Sequence, residues 1–366
     1  MKALIVDKAK VRNNLQVIRT AAGDAQIYAV LKINAYGLGL KPMAELCREA
    51  GIRRFAVTEP EDAVRLRDWG FQEEEILILR STACEEDIRA ILKAGATATV
   101  GSYDAALALN GIAESEGVVC DVHIKVDTGM GRYGFVPGEI DRILSVYRYL
   151  GNLNVTGTYT HYANAFRSKK KTQAQYDLFL SVVDKIRAAG FEPGMLHASN
   201  SEAFFGCKMP NLDAVRIGSA LGGRLISKGD FGLQRTGRLQ SEIVEVRWLP
   251  KGATIGYGSA YTTRHPTRIA VIPVGSGDGY QVEKIRVNTR LIDYLRAMGS
   301  VVKAFFRGKR YYVSVGGKRA PVLGHVGVSH TVIDVTDLEC GPGTKVFLDA
   351  APMFVPPTVP RQYIDG

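Results

Sequence analysis

The sequence has no apolar stretch long enough to cross a membrane and no pair of cysteines spaced as in a zinc or redox motif. Its 366 residues include five cysteines, which are odd in number and far apart: Cys47, Cys84, Cys120, Cys207 and Cys340. This pattern predicts isolated reduced thiols and no metal site. No apolar run approaches the ~18–20 residues of a transmembrane helix. The first residues also lack the apolar core of a signal peptide, so we expect a cytoplasmic protein without membrane contact.

The net charge of +10 is not concentrated in one part of the chain. The single dense basic run, residues 167–171, lies in a polar segment before a predicted helix. We interpret it as a solvated loop, because its basic residues do not alternate with aromatic residues as a nucleic-acid-binding segment would require. The sequence therefore predicts no nucleic-acid partner, and salt-dependent binding to DNA or RNA would contradict this.

Eight short apolar runs recur between Ile27 and Arg216, and stretches with helical spacing separate most of them. The residues that follow or end these runs are Lys32, Thr58, Arg80, Gly101, Lys125, His161, Ser199 and Arg216. Buried strands that alternate with amphipathic helices predict a parallel sheet covered on both faces. Eight such units in a row predict a (β/α)₈ barrel, in which catalytic groups lie at the carboxyl ends of the strands.

After Gly223 the pattern changes to short β-rich runs separated by glycine and proline turns. We therefore predict a barrel over residues 1–225 and a mainly β domain over residues 226–366. One helix, residues 284–297, is predicted within the β-rich part. The fold class is α/β, with a TIM barrel followed by a β domain.

Lys32 follows a buried strand at the predicted catalytic face of the barrel. Burial lowers the pKa of a lysine and makes the neutral amine available, as a Schiff-base lysine requires. Taken alone, a lysine at a strand end is more often structural or solvated. The segment Asn34–Gly39 favours a functional interpretation, because Tyr36 supplies a phenolic donor nearby and two glycines let backbone approach closely.

The segment from Lys32 to Gly39 resembles the cofactor-lysine motif of alanine racemases, the fold-type III pyridoxal-phosphate enzymes. Seven more segments are similar in the same order and extend the resemblance over nearly the whole chain: 122–135, 156–165, 196–203, 213–223, 255–261, 269–280 and 322–336. The resemblance implies an isomerase that interconverts L- and D-alanine with pyridoxal 5′-phosphate. It also implies a homodimer with shared active sites and a role in D-alanine supply.

The resemblance assigns two catalytic bases. Lys32 would bind the cofactor covalently and act as one base. Tyr257, from the β domain of the second subunit, would be the other. Racemisation removes a proton from one face of Cα and returns one to the other face, and two bases do this without turning the substrate over.

The resemblance also assigns the residues that hold the cofactor phosphate. Tyr36 and Ser201 would contribute their side chains, and Asn200 would also be one of the cofactor-binding residues. The backbone around Gly218 and Ser219 would contribute N–H donors.

Five further roles follow from the resemblance. Arg216 would face the pyridine nitrogen, and His161 would link it to the tyrosine base. Arg132 would lie near the phenolic oxygen of the cofactor and the substrate carboxylate. The backbone at Val328 would help to hold that carboxylate. Lys125 matches a position that is often carbamylated in the family and that holds the arginine.

Each of these residues also has an ordinary structural interpretation. Lys125 and Arg132 could form ion pairs with Asp121 and Asp127, and Tyr257 could be an aromatic residue of a turn. Arg216 could be an ion-pair partner inside the barrel, and His161 a core histidine. Their joint occurrence, in family order and on the expected elements, favours the functional interpretation.

Several positions of the substrate channel depart from the family pattern. Val328 and Ser329 stand where the family has Met-Asp, and Ser276 stands where it has a tyrosine. Phe166 replaces an aspartate, and Asp349 falls where a tyrosine is usual. These changes spare the cofactor and the bases, so serine or a cationic amino acid stays open as the substrate.

Two other functions stay open as alternatives. A fold-type III decarboxylase shares the architecture, although such enzymes place a glutamate where this chain has Arg216. A non-catalytic cofactor-binding protein of the single-barrel type would lack the β domain.

Overall fold

The computed structural model describes residues 2–282, 291, 294–299, 301 and 311–366, so most of the predicted helix 284–297 lies outside the described residues. The chain forms two compact units. The barrel unit comprises Lys8–Thr236 with Asp365–Gly366, and the β unit comprises the residues through Asp7 with Gly237–Ile364. The first strand, β1 (Ala3–Asp7), lies in the β unit because it pairs with two strands from that part of the chain.

The barrel unit contains eight parallel strands. They are β2 (Gln26–Val30), β3 (Arg54–Val57), β4 (Glu75–Ile78), β5 (Ala98–Val100), β6 (Cys120–Lys125), β7 (Leu153–Tyr159), β8 (Met195–Asn200) and β9 (Ala214–Ile217). Their order in the sheet is β4-β3-β2-β9-β8-β7-β6-β5. The sheet closes between β4 and β5, where Thr97 N donates to Ile76 O at 2.8 Å and Ile78 N donates to Thr97 O at 2.9 Å. The predicted barrel is confirmed.

In the barrel unit one helix precedes β2 and six connect successive strands from β2 to β8, which makes seven α-helices among the described residues. They are α1 (Lys8–Ala22), α2 (Leu40–Glu49), α3 (Pro60–Asp68), α4 (Glu85–Lys93), α5 (Tyr103–Ser115), α6 (Ile140–Tyr149) and α7 (Lys169–Ala188). Local chemistry sets their starts: the Ser102 side chain caps α5 by accepting the Ala105 N–H at 3.2 Å. Among the described residues, none of the helices has both the length and the apolarity that crossing a membrane demands.

The chain leaves β2 through an unusual turn. Four consecutive non-glycine residues, Ile33 to Tyr36, have φ between 51° and 55°, in the left-handed region. Left-handed backbone costs an L-residue roughly 1–2 kcal/mol, so the surrounding structure must hold this turn in place. Gly37 and Gly39, with φ of 82° and 103°, then return the chain to α2. The turn places Lys32 and Tyr36 at the carboxyl end of β2.

The β unit confirms the predicted β-rich part. Its remaining strands are β10 (Gly237–Glu242), β11 (Glu245–Leu249), β12 (Thr254–Ile255), β13 (Tyr261–Thr262), β14 (Thr267–Ile272), β15 (Tyr312–Val315), β16 (Lys318–Pro321), β17 (Thr331–Asp334), β18 (Lys345–Leu348) and β19 (Arg361–Ile364). The described strands form a six-stranded sheet (β16-β15-β18-β10-β1-β19), a three-stranded sheet (β11-β14-β17) and the hairpin β12-β13.

Candidate active site

A cavity of about 450 Å³ opens at the carboxyl ends of the barrel strands. Ten of the residues singled out from the sequence line it: Lys32, Tyr36, Lys125, Arg132, His161, Asn200, Ser201, Arg216, Gly218 and Ser219. Tyr257 and Val328 belong to the β unit, where their side chains are 92% and 75% exposed. The barrel therefore gathers most of the predicted set, and the two remaining residues present exposed side chains.

Tyr36 and Gly218 lie against each other at one end of the cavity. A Cβ atom built on Gly218 would lie only 2.7 Å from Cε2 and Cζ of the Tyr36 ring, so the ring occupies the space that a side chain would need. Burial raises the pKa of Tyr36 to about 12, so its hydroxyl keeps its proton and can donate at neutral pH. The amine of Lys32 lies 6.0 Å from the centroid of the same ring.

Donor groups converge around Ser201, which is 5% exposed. Its Oγ accepts the backbone N–H of Gly218 at 3.1 Å and that of Ala220 at 3.5 Å. Asn200 shapes the turn that contains Ser201, because its Oδ1 accepts the backbone N–H groups of the two residues after Ser201, at 3.1 and 3.0 Å. A hydroxyl and backbone N–H groups thus gather beside Tyr36, which is a donor set suited to phosphate.

Arg216 is buried beside the cavity, with 3% of its surface exposed. It donates to ring nitrogens and carbonyl oxygens, including His197 Nδ1 at 2.7 Å and Thr160 O at 2.7 Å. Burial lowers the pKa of Arg216 to about 10, so the guanidinium remains cationic at neutral pH. The described acceptors of Arg216 are neutral groups. Within the described part of the chain, Arg216 therefore does not form the ion pair inside the barrel that was its alternative structural role.

His161 is the neighbour of Arg216 on the cavity side. Its Nδ1 lies 3.3 Å from Arg216 Nη2. Burial is the main cause, and the charge of Arg216 the second, that hold the pKa of His161 well below its usual range, so the ring is neutral. Because arginine only donates, Nδ1 must accept and the ring proton must be on Nε2. The expected link from His161 to Tyr257 stays a prediction.

Lys125 is 3% exposed and lies among positive charges. Burial, followed by the charges of Arg216 and Arg132, lowers the pKa of Lys125 to about 7. Its Nζ lies 5.3 and 5.4 Å from the ring centroids of Tyr133 and Tyr159. A buried amine that is partly neutral at neutral pH can act as a nucleophile.

Asp127 organises the loop that carries Arg132. Its carboxylate accepts four backbone N–H groups, from residues 129, 130, 131 and 132, at 2.7–3.0 Å. Burial alone would raise the pKa of Asp127, but these four donors hold it below its usual value. Asp121 instead binds the side chain of Asn154 at 2.7 Å. Asp127 thus contacts Arg132 through the backbone of that residue.

Three residues inside the barrel escaped the sequence reasoning: His123, Tyr159 and His197. All three are at most 1% exposed, and the rings of Tyr159 and His197 stack with centroids 4.7 Å apart. Side chains two apart on a strand share a face. His123 and Tyr159 lie two residues before Lys125 and His161, so the period-two pattern could have identified them.

The positions that depart from the family pattern lie in both units. In the β unit, Ser276 N donates to Gly327 O and Gly277 N donates to Val328 O, each at 2.9 Å. Ser329 Oγ is 2.9 Å from His330 Nδ1. Two of the altered segments thus hydrogen-bond to each other. The remaining two positions are exposed: Phe166, 45% exposed in the barrel unit, and Asp349 in the β unit.

The charges of the cavity favour an anionic ligand. Its basic lining residues are Lys32, Arg80, Lys125, Arg132 and Arg216. Its carboxylates have partners: Glu59 lies 3.2 Å from Arg80, and Glu202 accepts the Ser227 hydroxyl at 2.7 Å. The resulting positive field attracts phosphate and carboxylate groups. Within the described residues, no three His, Cys, Asp or Glu side chains come together as metal ligands.

Family models match both parts of the chain. Residues 6–225 match the alanine racemase N-terminal domain, and residues 236–352 match the alanine racemase C-terminal domain. The chain is 32% identical over 342 residues to the alanine racemase of Methanococcus maripaludis, which covers 91% of this chain and 84% of that protein. It is 34% identical over 327 residues to the alanine racemase of Halothermothrix orenii, covering 88% of this chain and 80% of that protein.

Solved structures show the same likeness. The alanine racemase of Clostridium difficile 630 superposes with a TM-score of 0.85 at 26% identity, covering 100% of this chain and 96% of that chain. The alanine racemase of Bacillus anthracis with bound L-Ala-P superposes with a TM-score of 0.83 at 25% identity, covering 100% of this chain and 95% of that chain.

Proposed function

The chain belongs to the alanine racemase family, and from this premise we propose that it interconverts L- and D-alanine with pyridoxal 5′-phosphate as its cofactor. One observation carries the proposal: a single cationic cavity gathers Lys32, a phosphate-type donor set and the buried Arg216. The printed names of the relatives, and the L-Ala-P bound to the Bacillus anthracis enzyme, support alanine as the substrate.

The residues of the cavity fit the cofactor. Lys32 would bind it covalently through Nζ. The hydroxyls of Tyr36 and Ser201, the amide of Asn200 and the backbone N–H groups around Gly218 and Ser219 would hold its phosphate. The protonated state of Tyr36 suits this, because a phenol can donate to phosphate only while it keeps its proton. The absence of a side chain at Gly218 suits it too, because any Cβ would displace the Tyr36 ring.

Arg216 would set the electronic character of the site. Bound there, the cofactor would withdraw electrons from Cα of the substrate and so acidify its Cα–H bond. Arg216 stays cationic and can only donate, so it would hold the pyridine nitrogen without transferring a proton to it. A ring nitrogen without its own proton withdraws electrons less strongly, which suppresses decarboxylation and transamination. This is why we favour racemisation over the decarboxylase alternative.

Two residues would move the proton. Lys32 Nζ would take it from Cα, or return it, on one side of the substrate. Tyr257 would do so on the other side. The exposed Tyr257 side chain suits delivery to the site of a second subunit, so we propose a homodimer in which each β domain completes the partner's site.

Arg132 and its loop would hold the substrate carboxylate. The guanidinium of Arg132 lines the cavity, Asp127 holds its backbone, and the backbone of Val328 from the β domain would assist. We also propose that the Lys125 amine adds to carbon dioxide and loses a proton, forming a carbamate that offers Arg132 a negative partner. Equilibration with ¹³C-bicarbonate should then give a carbamate carbon signal that is lost in Lys125→Ala.

The main test is racemisation itself. The purified protein should convert L-alanine to D-alanine and exchange the Cα hydrogen with deuterium from solvent. Borohydride reduction should fix the cofactor onto the peptide that contains Lys32, as mass spectrometry would show. Full racemisation by Lys32→Ala would contradict the assignment.

The shared site has its own test. Lys32→Ala and Tyr257→Phe should each be inactive, but hybrids of the two should regain activity at one of their two sites. Verified hybrids that stay inactive would count against it. A panel of L-amino acids, including serine and lysine, would show whether the altered residues Ser276, Ser329, Phe166 and Asp349 change the substrate.

A further inference from the structure

A continuous set of polar side chains inside the barrel connects Arg216 to the first residue of β4. Its members are Arg216, His197, His123, Glu75, Tyr28 and Arg54, and we refer to them as the interior polar column. The two histidines and Tyr28 are at most 1% exposed. The proposed function uses only Arg216 from this set, so the other members have no role assigned so far.

The hydrogen bonds of the column have one direction. Arg216 Nη1 is 2.7 Å from His197 Nδ1, and His197 Nε2 is 2.9 Å from His123 Nδ1. Arginine has no acceptor, so His197 Nδ1 must accept, and its proton must be on Nε2. His123 Nδ1 then accepts that proton, and the proton of His123 must be on its own Nε2. Burial lowers the pKa of His123 to about 3, which agrees with a neutral ring.

Glu75 is the group at the far end. Its Oε1 accepts the hydroxyl of Tyr28 and lies 3.9 Å from His123 Nε2. Its Oε2 lies 2.9 Å from Nε of Arg54. Among the contacts described, Glu75 is thus the only negatively charged member of the column. It lies beside Nε2 of His123, which is the ring nitrogen that must carry the proton.

We propose that Glu75 is a positioning residue for the racemase site: its negative charge stabilises the Nε2-protonated form of His123, which accepts from His197, and so supports the hydrogen bonds that hold Arg216 in place. This rests on the proposed function of Arg216. The reason is a conflict of donors. If His123 carried its proton on Nδ1, that N–H would face the N–H of His197. If His197 also changed form, its own N–H would face the guanidinium of Arg216. Either change removes a hydrogen bond in the column.

The decisive variant is Glu75→Gln, which keeps the shape of the side chain and removes its charge. Its matched control is Glu74→Gln. Glu74 is the neighbouring carboxylate, forms an ion pair with Arg53 at 2.9 Å and has a 2% exposed side chain, but does not contact the histidines in the described structure. The two variants lose comparable ion pairs at the same end of the barrel.

The first measurement is ¹⁵N NMR of the histidine rings in the cofactor-loaded protein, which has six histidines to assign. In the wild type and in Glu74→Gln, His123 and His197 should each show a protonated Nε2 and an accepting Nδ1, unchanged between pH 6 and pH 8. In Glu75→Gln the ring of His123 should become a mixture of the two neutral forms, whereas His197, whose Nδ1 faces the donor-only Arg216, should keep its proton on Nε2. The same spectra of cofactor-free protein give a readout independent of catalysis.

The second measurement is steady-state racemisation. In Glu75→Gln kcat should fall about fivefold, as expected for the loss of the hydrogen bond between the neutral rings of His197 and His123, while KM stays within about twofold. Glu74→Gln should retain the wild-type kcat. The proposal is overturned if Glu75→Gln keeps the wild-type ring pattern, if its kcat is unchanged, or if a wild-type ring carries its proton on Nδ1. That last result needs no variant. A wild type without racemase activity would instead refute the proposed function, and the ring spectra would still test the column.

Discussion

Replacing Gly218 by alanine should weaken cofactor binding by displacing Tyr36. The added methyl group would lie 2.7 Å from two carbons of the Tyr36 ring, well inside van der Waals contact. The ring is buried, so it has to move, and its hydroxyl would leave the phosphate site. A hydrogen bond to a charged group contributes about 1.5–3 kcal/mol, so we expect the dissociation constant of pyridoxal phosphate to rise roughly ten- to a hundredfold.

The assay is a spectroscopic titration of cofactor-free protein with pyridoxal phosphate, carried out for Gly218→Ala, for Tyr36→Phe and for the double variant. If the methyl group acts through the Tyr36 hydroxyl, the effects of the two substitutions cannot add. The dissociation constant of the double variant should therefore equal that of whichever single variant binds pyridoxal phosphate less tightly.

The matched control is Gly222→Ala, at the end of the short helical turn (Ser219–Gly222) that follows Gly218. A Cβ there would meet only Leu38 Cδ1 at 3.3 Å and Thr236 Oγ1 at 3.8 Å, which are side-chain atoms that can yield. This variant should bind the cofactor like the wild type. Wild-type affinity in Gly218→Ala, or fully additive losses in the double variant, would refute the reasoning.

Three further predictions concern stability and substrate binding. Burial is the main cause that lowers the pKa of Lys125 from 10.5 to about 7, so between these two pH values the unfolded chain binds more protons than the folded chain, and the free energy of unfolding rises with pH. Lys125→Met should lose this contribution to the pH dependence of the free energy of unfolding, measured by urea unfolding in carbonate-free buffer. An unchanged pH dependence would contradict the prediction. Ile33→Asn should raise the free energy of unfolding by about 1 kcal/mol, because Ile33 is 54% exposed and has a φ of 54°, a conformation that asparagine tolerates better than isoleucine. Ile226→Asn is the control: Ile226 is exposed but has no positive φ, so the free energy of unfolding should not rise. Asp127→Asn should raise KM for alanine about tenfold with a smaller change in kcat, because the Arg132 loop loses its charged acceptor; Asp121→Asn is the control, and equal KM values would contradict the role of the loop.

Much of the barrel could be predicted from periodicity. The predicted apolar runs end within two residues of the ends of β2 to β9. The barrel brings strand ends together, so Lys32, His161 and Arg216 could be placed in one site before any coordinates.

Other features depended on contacts between distant segments. The residues Ala3–Asp7 gave no sign of joining the β unit, because β1 is defined by its pairing with β10 and β19. The left-handed turn after β2 was equally hidden. Its residues Ile33 to Tyr36 favour ordinary backbone conformations, and the surrounding structure overrides that preference.

By itself the sequence determined which side chains reach the carboxyl ends of the strands, because strand periodicity is a local property that neighbouring residues set. Only the tertiary structure decided what each of these side chains touches. The neutral state of His161, the partly neutral state of Lys125 and the contact between Glu75 and His123 all arise from burial and from partners far away in the chain. Local patterns do not encode desolvation or long-range hydrogen bonds, and these shift the pKa values of Tyr36, Lys125 and His161.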